Sequence, residues 1–201
     1  MPKAENLELS VSCTLNELYN GAMKEISYKR TRIQYDGKEV ETEEKESLNI
    51  EIKPGFSTAT RLVFPCKGNE TDGAFPSDLI ISLKESENAN FRREGNDLIY
   101  VHKVSLIDAL EPKPFHINTL DSRVLALTPP QVVTPQSTIV LAGEGMPNAQ
   151  SGDVFIDAKA GLTAVCNQAK GDLRIEFDIA FPERIITEHK QTILTALASN
   201  C

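Results

Sequence analysis

Phe91-Arg92-Arg93-Glu94-Gly95-Asn96-Asp97-Leu98-Ile99-Tyr100 reads as a turn running into a strand, and the residues after it echo the opening of the chain. Leu7-Glu-Leu-Ser-Val-Ser-Cys-Thr-Leu-Asn-Glu-Leu-Tyr-Asn-Gly21 reads as strand, Thr-capped short helix, Gly stop. Leu98-Ile-Tyr-Val-His-Lys-Val-Ser-Leu-Ile-Asp-Ala-Leu-Glu-Pro112 reads as strand, Ser-capped short helix, Pro stop. One supersecondary unit therefore occurs twice, about 90 residues apart, a spacing that suits two β-domains in tandem and not a solenoid of short repeats. The polar, aperiodic stretch Ser86 to Asn90 is where the boundary is expected.

Working outward, strand signals dominate. Leu7, Leu9 and Val11 alternate with polar residues, and Met23 to Ile33 is a second, less regular strand candidate. Thr14 and Glu17 form a capping-box pattern between them. Tyr35-Asp36-Gly37-Lys38 carries a hairpin turn signal, and Ser47 to Lys53 is a half-buried strand ending at Pro54-Gly55. Further strands are expected at Arg61 to Phe64 and Asp78 to Leu83, then at His116, Arg123 to Leu127, Ile139 and Asp172 to Ile179. Ile139-Val-Leu-Ala-Gly-Glu-Gly-Met-Pro147 parallels Leu62-Val-Phe-Pro-Cys-Lys-Gly68. Ser151-Gly-Asp-Val-Phe looks like a second version of Lys170-Gly-Asp-Leu-Arg, so the segment 148–170 reads either as an inserted hairpin, which we favour, or as a strand with alternative registers.

The end of the chain differs in kind. Thr187 suits the N-cap of a helix from Glu188 to Ser199, with Ile193, Leu194 and Leu197 at helical spacing. A helix of roughly a dozen residues is marginal alone, so this apolar stripe must pack on its own domain or on a second copy of the chain.

The 201 residues can hold one large or two small domains, and 40% apolar content supplies real cores. No stretch approaches the ~18 uninterrupted apolar residues that cross a bilayer, and Met1 to Asn6 has no apolar signal core, which suits a soluble protein of a reducing compartment. A net charge of −8 argues against nucleic acid as the main partner, because phosphate binding needs a concentrated basic surface. The acidic run Glu39 to Glu46 reads as a solvated hairpin or loop flank, with an acidic docking patch as the alternative. The four cysteines, Cys13, Cys66, Cys166 and Cys201, stand singly, so neither a zinc site nor a disulfide framework is expected.

The catalytic inventory is thin. His102 and His116 fall in strand patterns, His189 lies in the terminal helix, and no nucleophile elbow, H-E-x-x-H helix or P-loop is present. Gly143-Glu-Gly145 follows a strand without opening a helix, so a turn requiring positive φ explains it better than a dinucleotide site. No enzyme, metal or cofactor is expected. What remains is surface suited to extended peptide. Leu9 and Val11 on one strand, Lys24, Ile26 and Tyr28 on the next, and Ile81 beyond would form either an apolar groove with a cationic rim or simply a domain core.

These residues carry a resemblance. Leu15-Asn-Glu-Leu-Tyr-Asn-Gly21, Tyr35-Asp-Gly37, Ile52-Lys-Pro-Gly55, Phe91 to Tyr100, Ser105-Leu-Ile-Asp-Ala-Leu110, Gly143-Glu-Gly-Met-Pro147, Gly171-Asp-Leu173 and Phe181-Pro-Glu-Arg184 run in family order across nearly the whole chain. It resembles the C-terminal region of class II J-domain proteins, the DnaJ-type heat-shock co-chaperones. The resemblance implies a mainly β fold of two tandem sandwich-like domains, each with a short helix. They would span 7–87 and 88–182, the second carrying the insertion at about 148–170, with a dimerisation helix over 183–201.

It further implies a module, cytosolic in setting, that holds unfolded polypeptide and docks the acidic Glu-Glu-Val-Asp tail of a 70-kDa heat-shock chaperone as a homodimer. Leu9, Val11, Lys24, Ile26, Tyr28 and Ile81 would form the peptide groove, Lys24, Lys29 and Arg30 would meet the acidic tail, and Ile193, Leu194 and Leu197 would form the dimer helix. An alternative within the same family is a structural adaptor in an axonemal radial spoke. No His-Pro-Asp tripeptide occurs, so stimulation of the partner's ATPase is not expected of this chain itself. The cysteine-rich zinc module of class I relatives is absent, and 148–170 has no counterpart in the common pattern.

Overall fold

Period-two alternation commits Leu7–Cys13 to strand β1, whose apolar residues Val11 and Cys13 are buried while Glu8, Ser10 and Ser12 face outward. The computed structural model describes residues 5–35, 39–72, 74–129, 132–148, 153–155, 167–184 and 187–198. Helix α1 (Leu15–Asn20) follows β1 at once and is opened by the capping box read from sequence: the Glu17 amide donates to Thr14 Oγ1 at 3.3 Å, and the Thr14 amide donates to Glu17 Oε2 at 2.7 Å. Gly21 ends it with φ +81°, and a Cβ there would meet the Ile52 carbonyl oxygen at 3.0 Å.

Strands β2 (Ala22–Tyr35) and β3 (Glu39–Ile52) form a long antiparallel ribbon in continuous register from Ala22↔Ile52 to Tyr35↔Glu39. The Asp36-Gly37-Lys38 turn lies outside the described residues. The acidic run beginning at Glu39 belongs to β3, where it faces the basic residues of β2. Lys29 pairs with Glu43, Arg30 with Glu46 and Arg32 with Glu44, at 3.1, 2.7 and 2.9 Å.

Strands β4 (Arg61–Phe64) and β5 (Leu79–Glu85) join β1 in the first sheet, in which β5 pairs parallel with β1 and antiparallel with β4. The same connectivity returns in the second half. Strand β6 (Phe91–Glu94) and strand β7 (Asp97–Ser105) form a hairpin, followed by α2 (Leu106–Leu110), the antiparallel pair β8 (Phe115–Asn118) and β9 (Val124–Leu127), and β10 (Thr138–Leu141). Short β11 (Pro147–Asn148), β12 (Asp153–Phe155) and β13 (Asn167–Lys170) precede β14 (Leu173–Ala180) and helix α3 (Thr187–Ala198). Strand β14 pairs parallel with β7 and antiparallel with β10, as β5 does with β1 and β4.

The repetition extends to single hydrogen bonds. Cys66 (φ +57°) and Gly143 (φ +75°) turn the chain after β4 and β10, and their amides donate to Asp78 and Asp172 carboxylates at 3.0 and 3.2 Å. The Gly68 amide donates to the Ser77 carbonyl, and the Gly145 amide to the Gly171 carbonyl, both at 2.8 Å. The amide of Asp78 meets Asn6 Oδ1 at 3.2 Å, and that of Asp172 meets Asp97 Oδ1 at 2.9 Å. The G-x-G of Gly143-Glu-Gly145 is thus a turn plus a close approach. A Cβ on Gly145 would sit 2.5 Å from the Gly171 main chain.

Two expectations need correction, at Phe91–Glu94 and at the start of the last helix. Phe91–Glu94, read as a turn, is a strand, and the turn is Gly95-Asn96 alone, with Gly95 at φ +63° as primed hairpin turns require. Of the segment 148–170, expected as an inserted hairpin, the described ends pair antiparallel, Asn148 opposite Asn167 with Pro147 opposite Lys170 just outside, and the residues between them lie outside the described ones except for 153–155. Asp153–Phe155 joins the far edge of the first sheet, parallel to β4, and Asn167–Lys170 pairs with β11. Helix α3 begins at Thr187, one residue earlier than its expected role as N-cap implies, a shift of the size by which helix ends ordinarily vary.

One contiguous core runs through both halves, from Leu15, Ile50 and Ile81 to Leu98, Ile117, Met146 and Ile175. Polar contacts fix the junction. Tyr19 of α1 donates to Asp121 at 3.4 Å and accepts from Lys170 Nζ at 2.8 Å, while Arg93 donates to the Phe56 carbonyl at 2.7 Å. Among the described residues no helix is long and apolar enough to cross a membrane.

Candidate functional site

Strand β1 lies at the edge of its sheet, whose order is β1-β5-β4-β12. The Leu7 amide donates to the Asp78 carbonyl at 2.9 Å, which turns the main-chain groups of Leu7, Leu9, Val11 and Cys13 toward β5. Alternation then leaves the N–H and C=O groups of Glu8, Ser10 and Ser12 on the outer edge. The Ser12 carbonyl accepts from Lys24 Nζ at 2.6 Å, and among the described residues no strand pairs with this edge.

The corresponding edge in the second half is filled. The order there is β10-β14-β7-β6, so β6 lies antiparallel along β7 where, among the described residues, β1 has no partner. The fold thus contains its own example of a short extended segment added to this edge.

Side chains around the β1 edge fall into two tiers. Ile81 is fully buried, Val11 is buried, and Tyr28 is only 4% exposed, so these three form a floor continuous with the core. Burial and the adjacent Glu46 charge push the Tyr28 hydroxyl up to about 12, and it donates to the Lys67 carbonyl at 2.9 Å. Leu9 and Ile26 are half-buried against the core and form the accessible upper tier. Lys24 stands at the mouth. Its ammonium reaches Glu17 Oε2 at 3.2 Å as well as the Ser12 carbonyl. Hydrogen bonding from the Thr14 amide, with further help from Lys24, holds the Glu17 carboxyl below its ordinary range. The capping glutamate therefore does double duty, a role invisible in the Thr14–Glu17 motif itself.

The three cations expected to meet an acidic tail do not share one rim. Period two places Lys24 and Arg30 on one face of β2 and Lys29 on the other. Arg30 is 5% exposed, and its Nε lies 2.7 Å from Glu46 Oε2 at an angle too bent for a straight hydrogen bond. Lys67 adds to the same carboxylate at 2.7 Å. Arg30 is thus tied into the ribbon, Lys29 pairs with exposed Glu43, and Lys24 alone borders the apolar tier.

Of the residues expected in the terminal helix, Ile193 and Leu194 are 42% and 56% exposed, and the Leu197 side chain lies outside the described residues. Cys13 is buried, which raises its thiol pKa despite nearby Lys24, so it behaves as a small core residue. Among the described residues no three His, Cys, Asp or Glu side chains are grouped to hold a metal ion.

Comparison with known proteins places these features. A family model described as the DnaJ C terminal domain matches residues 7–162. DnaJ homolog subfamily B member 5 of Homo sapiens is 35% identical over 186 residues, covering 92% of this chain and 48% of the relative. DnaJ homolog subfamily B member 13 of Homo sapiens is 31% identical over 191 residues, covering 95% of this chain and 55% of the relative. DnaJ homolog subfamily A member 2 of Mus musculus is 33% identical over 142 residues, covering 70% and 31%. The chain spans about half the length of the subfamily B relatives it matches.

Proposed function

Because this chain belongs to the family of DnaJ C-terminal domains, we propose that it is a co-chaperone substrate-binding module that holds unfolded polypeptide and docks the acidic C-terminal tail of a 70-kDa heat-shock chaperone. The observation that carries the reading is the open outer edge of β1, flanked by Leu9 and Ile26 and bordered by Lys24, at a place where the second half already holds an added strand. An extended client adds there by main-chain hydrogen bonds to Glu8, Ser10 and Ser12, and its apolar side chains rest on Leu9 and Ile26 over the Val11, Tyr28 and Ile81 floor. Lys24 exchanges its contact with Glu17 for a carboxylate of the tail. Lys29 and Arg30 hold the ribbon in shape and are not needed for docking. The chain works as two β-domains, 7–87 and 88–182, with residues 183–201 pairing two copies through Ile193, Leu194 and Leu197.

Two substitutions test the site. Ser10→Pro removes an outward N–H that β5 does not use, and proline is tolerated on an edge strand, so the sheet should persist while peptide affinity falls about tenfold. Lys24→Glu should weaken a Glu-Glu-Val-Asp peptide by a similar factor in titration calorimetry and leave an uncharged apolar peptide less affected. Unchanged affinity in both variants would sink the assignment. Failure to suppress aggregation of a denatured client, with stable co-purification of one partner, would favour a fixed adaptor.

A further inference from the structure

Lys24 stands at the mouth of the β1 edge with its charge already matched. Its ammonium lies 3.3 and 3.2 Å from the two carboxylate oxygens of Glu17 and donates to the Ser12 carbonyl at 2.6 Å. The two side chains are 31% and 30% exposed, so an incoming ligand reaches both. The Thr14 amide holds the same carboxylate on Oε2 at 2.7 Å, which keeps its pKa below the ordinary carboxylate range and the group ionised in neutral solution.

The Glu17–Lys24 contact is not needed to start helix α1. Thr14 and Glu17 complete the capping box between themselves, and glutamine serves equally well at the Glu17 position of such a box. The second half shows the comparison. Ser105 caps α2 by accepting from the Asp108 amide at 3.1 Å, and the Asp108 carboxylate accepts from the same hydroxyl at 2.6 Å. There the acidic residue turns back on its own cap, whereas Glu17 reaches beyond the cap to the cation at the binding edge. Nor is Glu17 needed to aim Lys24. The Ser12 carbonyl is its shortest contact and fixes the ammonium at the end of the edge, and an ammonium has three N–H donors to share.

We infer that Glu17 is a specificity-determining residue of this edge, a resident carboxylate that rivals an acidic ligand for Lys24 and keeps the cation paired while an apolar client is bound. The inference rests on the reading of the β1 edge as the peptide site and adds to it the balance between two ligand classes. An uncharged segment laid on Leu9 and Ile26 covers an ammonium that already has its counter-ion, which avoids the cost of desolvating a lone charge. A ligand carboxylate must displace Glu17 or settle beside it, and either way it meets like charge. Glu17 belongs to the same fold, so its effective concentration at Lys24 is high. One ligand carboxylate competes poorly against it, and several adjacent ones compete better. Client segments with a single stray acid are thereby passed over, and a run of acids is accepted.

The test is Glu17→Gln in the full chain, which removes the charge while its side-chain oxygen still accepts from the Thr14 amide. Titration calorimetry compares a Glu-Glu-Val-Asp peptide with an uncharged apolar peptide. The acidic peptide should bind about fivefold more tightly and the apolar one about twofold more weakly, so that the ratio of the two affinities rises about tenfold. Binding of the acidic peptide should also weaken more steeply with added salt than in wild type, because the mouth then carries an unmatched positive charge. Glu25→Gln makes the same change in net charge one residue from Lys24, at an exposed position on the other face of β2, and should leave the ratio unchanged. The inference is overturned if Glu17→Gln weakens the acidic peptide, for Glu17 would then be aiming Lys24. It is also overturned if the ratio stays constant or if Glu25→Gln raises it equally. Lys24→Glu separates the two readings. If that variant loses the acidic peptide while Glu17→Gln changes nothing, the edge stands and the rivalry falls; if it binds the acidic peptide as wild type does, both fall.

Discussion

Replacing Gly171 by alanine gives a direct measure of how the second half is locked. A Cβ at this position would lie 2.0 Å from the Asn96 carbonyl oxygen and 2.4 Å from its carbon, both main-chain atoms that cannot rotate away. The Gly95-Asn96 turn must move by roughly 1 Å to restore van der Waals contact. That turn is held by the Met146 amide donating to the Asn96 carbonyl at 2.8 Å and by the Asp172 amide on Asp97 Oδ1 at 2.9 Å. Losing two such bonds at about 1 kcal/mol each, with overpacking of about 1–3 kcal/mol, predicts destabilisation of about 3–5 kcal/mol. Against a typical domain stability of about 5–15 kcal/mol, the shift is large.

The reciprocal change is the control. Ser77 occupies the matching place in the first half, where among the described residues no hairpin turn approaches, and its buried Oγ has no hydrogen-bond partner. Ser77→Gly should cost less than about 1 kcal/mol, because removal of an unsatisfied hydroxyl offsets the flexibility gained by the unfolded chain. Urea unfolding followed by circular dichroism reads both variants. A Gly171→Ala loss below about 1 kcal/mol, at unchanged slope, would refute the reasoning that close approach dictates this glycine.

Three further outcomes rest on particular contacts. Burial pushes the Asp121 carboxyl up, but hydrogen bonds from Thr119 and Arg123 outweigh it and hold the group down to about 2. Its stabilisation is then complete above pH 3.8 and is lost as the pH falls through about 2, so Asp121→Asn should flatten the acid limb of a stability-against-pH curve in that window. Burial lowers the pKa of His102 below 6.5, so the folded state resists its protonation and stability should fall as the pH drops from 6.5 through the folded value. His102→Phe should remove that component in thermal melts at pH 7 and pH 5. Leu194→Asp, which places a charge on an exposed apolar position of α3, should halve the mass measured by light scattering if this helix pairs two copies.

Local chemistry is legible in the sequence wherever one short segment contains the whole interaction. The Thr14–Glu17 box and the stops at Gly21 and Pro112 need no tertiary information, because their partners lie within a few residues. Edge status is different. Strand β1 and strand β7 carry the same alternation, and nothing in that alternation says that β6 covers one of them and leaves the other bare. Phe91–Glu94 reads as a turn in the sequence for this reason: four residues with two arginines become a strand only because β7 is there to pair with them. The joining of Asp153–Phe155 to β4 is out of reach for the same cause, since the partners are some 90 residues apart.

By itself the sequence determined a mainly β chain with a repeated strand–helix unit, the capped helices, and the membership of its motifs in one family, all properties carried by local pattern and order. Only the tertiary structure decided which glycines admit no side chain, which of Lys24, Lys29 and Arg30 borders the apolar tier, and which sheet edge stands open. The physical reason is range. Hydrogen-bond caps and period-two patterns act over a few residues, whereas close approach, charge pairing and edge exposure depend on which distant strand arrives alongside.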